Sequence, residues 1–250
     1  MLKEQRHSQR QTKDPAKRDQ TEKRMQNHFI IAGTRFPLID DPISLGGMTV
    51  NLATVPYSPS ELDRIVGLVG LKERAWPYWL EDWPATYALA EILAGEDPAL
   101  WPGPVLDLGC GSGILAAYLR LRFGLEPFSC DFNGDACRLA AHNVRRNGTE
   151  PALGRVFCAD FRAFPCLPAK ARFGLVLAGE MLYARENQPA LLAFLDRHLA
   201  PGGAALLADP GRSAAEGFPE AARAAGFAAE TRQVPIRSGD RNVQVYRLSR

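Results

Sequence analysis

Residues 104–131 read PVLDLGCGSGILAAYLRLRFGLEPFSCD, and the interpretation of the whole chain starts from them. Val105–Leu108 is a short apolar run of the kind that forms a buried parallel strand. A helix is predicted at 114–123, and three glycines precede it at two-residue spacing: Gly109, Gly111 and Gly113. Glycines between a strand and a helix allow a tight turn and a close approach of the backbone to a ligand. The stretch therefore predicts a cofactor-binding loop.

Asp107 and Asp131 indicate which cofactor binds. Loops of this kind serve NAD, FAD and S-adenosylmethionine (SAM) alike, but a carboxylate at the strand tip would repel the pyrophosphate of NAD at the following helix start. SAM has no phosphate, and its sulfonium and ammonium groups attract the Asp107 carboxylate. A second strand, predicted at 127–130, ends at Asp131, where an acid suits the ribose hydroxyls of an adenosine. We therefore expect SAM, with S-adenosylhomocysteine as product; the alternative is a glycine turn without a ligand.

Charge is unevenly distributed along the chain, whose net charge is +2. Residues 1–27 hold eight Lys or Arg against four Asp or Glu and almost no apolar residues, which predicts a disordered basic tail. The remainder is slightly acidic and has no electrostatic footprint for nucleic acid. The basic tail could instead be an arm for nucleic acid or for an acidic partner.

The other residue classes exclude several kinds of site. Five cysteines, an odd number without a Cys-x-x-Cys pair, are expected to be free thiols in a reducing compartment. Four scattered histidines predict no metal. No apolar run reaches the ~18–20 residues of a membrane span, and residues 1–27 lack a secretory h-region. We expect a cytoplasmic monomer.

The region 28–100 is predicted as an extension of hairpin and helix. Short strands are expected at 29–31, 43–45 and 48–52, and a helix running towards Leu71 with Ser60 as its capping residue. No chemistry can be assigned to 28–75. It is expected to lean on the core and shape a substrate entrance.

Residues 76–85, WPYWLEDWPA, hold three tryptophans and one tyrosine. Pro84 suits the first turn of a helix predicted at 85–93. One interpretation is that Tyr78, Trp79 and Trp83 line the substrate channel, with Trp83 also beside the cofactor, because aromatic rings pack well around a sulfonium. The alternative is that the aromatic residues only anchor this helix to the sheet.

The remaining chain alternates strands with helices. Strands are predicted at 155–158, 173–178, 204–208, 228–236 and 242–248, with a turn at 238–240, and helices at 134–147, from about 184 to Leu199 with a stop at 201–203, and at 214–225. This pattern predicts an α/β, Rossmann-like open sheet of seven strands, mostly parallel with an antiparallel terminal strand and with helices on both faces. Ligands of such sheets bind at the carboxyl ends of the strands.

Acidic and aromatic residues follow several of these strand ends. Asp160 and Phe161 follow the third strand, where the acid could accept from the adenine amine and the ring could flank the base. The alternative for Asp160 is a helix-capping role. The cofactor-binding residues predicted here are Trp83, Asp107, Gly109, Cys110, Gly111, Gly113, Asp131, Phe132, Asp160, Phe161 and Glu180.

Residues from about 100 to 250 resemble the class I (seven-β-strand) SAM-dependent methyltransferases, whose first motif Val105–Gly113 matches. The segment 77–85 is similar to the tryptophan-containing segment of the lysine-specific protein methyltransferases. Glu180-x-x-Tyr183 resembles their Asp-x-x-Tyr/Phe signature, with Glu in place of Asp. Asp209-Pro210-Gly211-Arg212 resembles the branch that methylates the electron-transfer flavoprotein β-subunit. The first 75 residues lie outside this resemblance.

The resemblance implies a core at 101–250 that methylates a nitrogen, most simply a protein lysine. Glu180 and Tyr183 would orient the acceptor amine, or Glu180 would bind the methionine end of SAM. A second hypothesis is a methyltransferase for a small molecule or another protein nitrogen. A third is a SAM-binding module without catalysis, or a basic-tailed RNA-binding protein.

Overall fold

The computed structural model describes residues 28–56, 58–69, 77–148, 155–166, 168, 171–236 and 242–250. The predicted tail at 1–27, the predicted helix end at Leu71 and the predicted turn at 238–240 lie outside these ranges. Among the helices described, none is long and apolar enough to cross a lipid bilayer.

The described residues form eleven strands and six helices. The strands are β1 His28–Ile31, β2 Thr34–Pro37, β3 Ile39–Leu45, β4 Met48–Thr54, β5 Val105–Leu108, β6 Phe128–Asp131, β7 Val156–Cys158, β8 Phe173–Gly179, β9 Leu199–Asp209, β10 Ala228–Pro235 and β11 Asn242–Ser249. The helices are α1 Pro59–Val69, α2 Pro84–Ala94, α3 Ile114–Phe123, α4 Gly134–Arg146, α5 Asn187–His198 and α6 Phe218–Ala224.

Seven strands form one sheet in the order β10-β11-β9-β8-β5-β6-β7. β5 to β9 pair in parallel, whereas β11 is antiparallel to both β9 and β10. The predicted seven-stranded, mostly parallel sheet is therefore confirmed. Because β5 to β9 run in one direction, their carboxyl ends meet at one edge of the sheet, and the candidate site residues follow those ends.

Helices cover both faces of this sheet, as predicted. In β8, Leu175 and Leu177 belong to a buried cluster that includes residues of α2 and α3. Val176 and Ala178 point to the opposite face, into a cluster that includes residues of α5 and α6. This alternation is the period of two that a strand buried on both faces imposes.

The N-terminal region contains two antiparallel hairpins, β1–β2 and β3–β4, followed by α1. The β3–β4 turn consists of Gly46 and Gly47, both with positive φ (53° and 78°), which suits a two-residue hairpin. β2 was not predicted, because its sequence TRFP lacks a clear alternation and ends in proline. Ser58 rather than Ser60 caps α1, since its Oγ accepts a hydrogen bond from the Glu61 N–H at 3.2 Å.

Two element boundaries after β8 differ from the prediction. β9 begins at Leu199 rather than at 204, so the predicted stop at 201–203 lies within the strand. The ladder with β8 absorbs these residues in a register shift, in which Phe173 faces Leu199 but Leu175 faces Ala204. α6 is also shorter than predicted, because a separate 3₁₀ turn at Ser213–Ala215 precedes it.

Candidate active site

The glycine loop joins β5 to α3 and is held against the end of β6. The backbone N–H groups of Gly109 and Cys110 both donate to the Cys130 carbonyl, at 2.8 and 3.0 Å. Gly113 has φ 80°, and a Cβ there would lie 2.7 Å from the Cα of Ala140 on α4. Glycine is therefore required at 113 both for its backbone conformation and for the close approach of α4.

Asp107 lies under this loop with 4% of its surface exposed. The Ala116 backbone N–H donates to its carboxyl, whereas Oδ2 has no hydrogen-bond partner among the described residues. Burial raises the Asp107 pKa to about 7, and the negative charge of Asp131 adds to this effect. A buried oxygen without a partner is costly, and an ammonium group would satisfy it. The amino group of SAM is a group of this kind, and its contact with Asp107 stays a prediction.

Asp131 ends β6 and faces the same loop. Its Oδ2 accepts from the Gly111 N–H at 3.1 Å, and its Oδ1 accepts from the Asn133 N–H at 2.8 Å. Burial raises the Asp131 pKa, which these N–H donors partly offset. Each carboxylate oxygen has a second lone pair, so the side chain can still accept from ribose hydroxyls. That role stays a prediction.

Three thiols are packed beside Asp131. Cys137 contacts Cys110 and Cys158, and its Sγ lies 3.5 Å from the Asp131 carbonyl oxygen. The contact with Cys137 and burial raise the pKa of Cys110, whereas the same contact lowers the pKa of Cys137. All five cysteines are free, as expected, although Cys158 and Cys166 are exposed rather than buried.

Three residues predicted to bind the cofactor, Phe132, Asp160 and Phe161, occupy different environments. Phe132 directly follows Asp131 and is 48% exposed. Asp160 caps a 3₁₀ turn at Phe161–Ala163, accepting from the Arg162 N–H at 2.9 Å. Phe161 is buried in the core beneath α5. The capping alternative for Asp160 thus accounts for its geometry, and adenine contacts of Asp160 and Phe161 stay predictions.

The aromatic segment lies over the glycine loop. Trp79 is 6% exposed and packs on Phe29 of β1, with ring centroids 5.8 Å apart. Its Cα is 3.8 Å from the position that a Cβ on Gly111 would occupy. Trp83 donates from Nε1 to the Tyr78 carbonyl at 2.9 Å, and the two rings are 6.0 Å apart. Trp79 thus anchors the segment to the N-terminal hairpin rather than to the sheet, and the lining of a substrate channel by Tyr78, Trp79 and Trp83 stays a prediction.

A small cavity separates this segment from the sheet. It is lined by Trp79, Glu81, Trp83, Thr86, Leu89, Asp107, Gly109, Cys110, Gly111, Ser112, Ile114, Leu115 and Gly179. Glu81, Thr86 and Leu89 were not predicted, since nothing in their spacing distinguishes them from a helix start. The cavity volume is about 50 Å³, well below the ~300–1,000 Å³ of typical ligand sites. The space enclosed here therefore corresponds to only part of a nucleoside-sized cofactor.

Glu180, at the end of β8, has an unusual backbone. Its φ is 58°, in the left-handed region that non-glycine residues rarely adopt. The side chain is 9% exposed and turns inwards, where Oε1 accepts from the Ala85 N–H of α2 at 3.3 Å. Oε2 forms an ion pair with Arg212. Burial raises the Glu180 pKa, and Arg212 opposes this rise.

Tyr183, the second residue of the predicted pair, is 48% exposed. Its hydroxyl forms no hydrogen bond with another described residue. Glu180 is therefore buried against the start of α2 and Arg212, whereas Tyr183 is half exposed. A role for the pair in handling an acceptor stays a prediction.

Arg212 is a site residue to which the sequence analysis assigned no role. Its guanidinium pairs with Glu180 and with Asp209, the latter at 3.2 Å, and lies 5.7 Å from the Trp83 ring centroid. The available signal was the Asp-Pro-Gly-Arg run directly after a buried strand. That signal could not show which carboxylates Arg212 would meet.

The sequence around this site matches a known protein family. A family model described as a methyltransferase domain matches residues 85–240, more than half of the chain. The chain belongs to the methyltransferase domain family. Membership of this family agrees with the predicted enzyme class and with SAM as cofactor, and the methyltransferase resemblance is confirmed.

Two curated relatives show how far the match extends. An electron transfer flavoprotein beta subunit lysine methyltransferase of Xenopus laevis is 31% identical over 146 residues, which cover 55% of this methyltransferase and 54% of the relative. A ribosomal protein L11 methyltransferase of Syntrophotalea carbinolica is 37% identical over 122 residues, covering 48% and 35%. The match thus spans about half of the first relative and about a third of the second.

Solved structures share the fold. The glycopeptide N-methyltransferase MtfA, determined in complex with S-adenosylhomocysteine, has a TM-score of 0.50 and 18% identity to this methyltransferase. The alignment covers 78% of this chain and 99% of MtfA. At this identity the likeness supports the sheet architecture alone.

Proposed function

We propose that this methyltransferase transfers the methyl group of SAM to a protein nitrogen, and that the acceptor is the side-chain amine of a lysine. The observation that carries the proposal is the Asp107 carboxyl, which is buried under the glycine loop and whose Oδ2 has no hydrogen-bond partner among the described residues. The relative named as a lysine methyltransferase, 31% identical over 146 residues, supports the choice of acceptor.

The cofactor would be held by residues of this chain with separate tasks. Asp107 would pair with its amino group, and Asp131 would accept from its ribose hydroxyls. When bound, SAM supplies an electrophilic methyl group for an in-line displacement. Gly179 lines the cavity and immediately precedes Glu180. The acceptor side of the reaction therefore falls to the residues around Glu180.

A lysine acceptor must lose its proton, because an ammonium has no lone pair and its ordinary pKa is about 10.4. Trp83, Tyr78 and Tyr183 would form aromatic walls that disfavour the charged form of the amine. Tyr78 and Tyr183 are 47% and 48% exposed, so a long side chain on another protein can reach them from outside. Glu180 would orient the amine, and positioning of this kind supplies several kcal/mol of the barrier.

A second candidate is methyl transfer to another nitrogen of a protein. The ribosomal protein L11 methyltransferase relative favours it, because its name specifies a protein substrate without specifying lysine. A small-molecule acceptor and a non-catalytic SAM-binding module are the remaining alternatives.

Radiolabelling tests the proposal directly. The full chain is incubated with methyl-tritiated SAM and a cell lysate, and labelled proteins are hydrolysed and separated by chromatography. We expect label in methyl-lysine, and none with an Asp131→Ala variant. Label in another amino acid supports the second candidate, whereas label in a small molecule contradicts both. Calorimetry with SAM and NAD accompanies the experiment, and binding of NAD without SAM would exclude the predicted cofactor.

A further inference from the structure

Arg212 lies between two acidic residues, and the proposed reaction assigns it no role. It follows β9 and reaches across the carboxyl edge of the sheet to Glu180, which follows β8. Two buried carboxylates flank it, since Glu180 is 9% exposed and Asp209 is fully buried. Arg212 itself keeps 29% of its side chain exposed. A planar guanidinium suits a position between two carboxylates, because its several N–H donors can bind both of them.

Asp209 holds Arg212 in place. Its Oδ1 accepts from the backbone N–H groups of Gly211 and Arg212, at 2.8 and 2.7 Å, and its Oδ2 pairs with the guanidinium. Gly211 has φ 91°, which allows the chain to turn back at this point. The loop after β9 thus fixes both the backbone and the side chain of Arg212.

Both carboxylate oxygens of Glu180 have a binding partner. The Ala85 N–H at the start of α2 binds one carboxylate oxygen, and Arg212 pairs with the other. A positive φ at a non-glycine residue is strained and persists only where the surroundings hold it. The contacts at both oxygens, together with the Glu180 N–H bond to the Ala208 carbonyl at 2.8 Å, supply that restraint.

Arg212 also touches the aromatic wall. Its guanidinium lies 5.7 Å from the Trp83 ring centroid, within the range of a cation–π contact. Trp83 lines the cavity whose floor contains Asp107. Arg212 therefore joins the proposed acceptor-orienting carboxylate to the proposed channel wall.

We propose that Arg212 is the positioning residue of this methyltransferase, and that it fixes the Glu180 carboxylate and the Trp83 ring in the arrangement that receives the acceptor. The proposal rests on the proposed function, in which Glu180 orients the acceptor nitrogen. Arg212 acts through Glu180 and Trp83 and does not itself contact the methyl group.

The experiment compares Arg212→Gln, Arg212→Lys and the control Arg223→Gln, which removes an exposed ion pair on α6. The groups that act on the Glu180 carboxyl are Arg212, Asp209 and the Ala85 N–H. In Arg212→Gln the cation is lost while burial and Asp209 remain, so Glu180 should titrate at higher pH. The ¹³C carboxyl resonance of Glu180, assigned with Glu180→Gln, reports this titration without any acceptor.

Methyl transfer provides the second readout. We expect kcat to fall about 10- to 100-fold in Arg212→Gln, with SAM affinity changed less than about twofold. Arg212→Lys keeps the positive charge but loses the planar fork of donors. In this variant the Glu180 titration should stay near that of the wild type, and kcat should fall less than in Arg212→Gln. Arg223→Gln should change neither. A Glu180→Gln/Arg212→Gln double variant should be hardly slower than Glu180→Gln alone, because both residues act as a unit.

An unshifted Glu180 titration, an unchanged kcat in Arg212→Gln, or additive losses in the double variant would each overturn the proposal. If Arg212→Gln does not fold, the Arg212→Lys variant tests the proposal instead. A wild-type kcat in Arg212→Lys would then show that the planar fork of Arg212 has no positioning role, which overturns the proposal. If no lysine is methylated but Glu180 titrates as expected and kcat falls with another acceptor, the proposed function fails and the role of Arg212 stands.

Discussion

The side chain of Asn143 on α4 pairs with the backbone of Ala53 on β4 as a neighbouring strand would. Its Oδ1 accepts the Ala53 N–H at 2.8 Å, and its Nδ2 donates to the Ala53 carbonyl at 3.1 Å. Asn147 repeats the pattern with Asn51, at 2.9 and 2.8 Å. Four helical residues rise ~6 Å and two strand residues ~6.7 Å, so the two periods nearly match. The N-terminal hairpin is thereby attached to the core.

Only one of these asparagines reaches the glycine loop. Asn143 Nδ2 also donates to the Ser112 carbonyl at 2.9 Å, whereas the Asn147 Nδ2 donates to the Asn143 carbonyl. Asn143→Ala should therefore lower stability by ~2–4 kcal/mol, because it leaves buried groups of Ala53 unpaired. It should also weaken SAM binding about tenfold, since the loop loses a support. Denaturant melts and calorimetry measure both effects.

Asn147→Ala is the matched control for this prediction. Asn51 is exposed, so water can replace the lost partner and the stability loss should be smaller. SAM affinity should stay within about twofold of the wild type. Equal losses of affinity in both variants would show that the loop does not depend on the Asn143–Ser112 contact.

SAM affinity should depend on pH through Asp107. Burial raises its pKa to about 7 in the folded protein, and only the ionised form attracts the ammonium of SAM. Affinity should therefore rise as pH increases from 5.5 to 7.5, and should fall by up to about tenfold per pH unit below the pKa. Calorimetry over this range measures it.

The raised pKa of Asp107 also makes the stability of the ligand-free protein depend on pH. The folded state binds the proton more tightly than the unfolded state. The penalty that Asp107 imposes on folding therefore grows as pH rises from the ordinary pKa of 3.8 to the folded pKa of about 7, and is complete above it. An Asp107→Asn variant should bind SAM weakly and with a flat pH profile between 5.5 and 7.5. A steep profile retained in that variant would assign the pH dependence to another group.

Gly113→Ala should destabilise the fold more than Gly124→Ala does. Both glycines have positive φ, 80° and 65°, so an alanine at either position meets the same backbone strain of ~1–2 kcal/mol. At 113 the added Cβ would also lie 2.7 Å from the Ala140 Cα, whereas at 124 no atom lies within 4 Å. Thermal melting of the two variants isolates the packing of α4 on the loop. Equal melting temperatures would contradict a close-packing role of Gly113.

Tyr183→Phe should reduce methyl transfer without reducing stability. The side chain is half exposed and its hydroxyl bonds no other described residue, so the melting temperature should change by no more than about one degree. Loss of a positioned contact typically costs ~2–4 kcal/mol of transition-state stabilisation, roughly 30- to 1000-fold in rate. Turnover and melting on the same preparation separate the two readouts. Normal turnover would remove Tyr183 from the site.

Alkylation should distinguish two classes of thiol. Cys158 and Cys166 are exposed, whereas Cys110, Cys130 and Cys137 are buried, so iodoacetamide should add to two sites in the native protein and to five in urea. Partial desolvation, together with the nearby Cys137 and Asp131, raises the Cys158 pKa, so its reaction should accelerate as pH rises above 7. Intact-mass and peptide mass spectrometry follow each site. Rapid modification of Cys137 in the native protein would show that the region around the buried thiols beside Asp131 opens readily to the reagent.

The sequence by itself determined the architecture and the strand ends at which Asp107 and Asp131 lie. Strand and helix periods, turn glycines and the positions of Asp107 and Asp131 are local properties, and steric limits on the backbone translate them directly into elements and their order. The helix Ile114–Phe123 and the strand Val105–Leu108 begin and end where the sequence predicted. The carboxyl edge of the sheet then had to collect the acidic residues that follow each strand.

Only the tertiary structure decided which side chains meet. The Asn143–Ala53 pair joins residues 90 positions apart, and the inward turn of Glu180 towards Arg212 depends on a positive φ that no sequence pattern indicates. The closure of Trp79 over the glycine loop depends on the packing of Phe29, in a region whose role the sequence left open. Such contacts follow from how separate elements pack and from side-chain rotamers, and local periodicity carries no information about either.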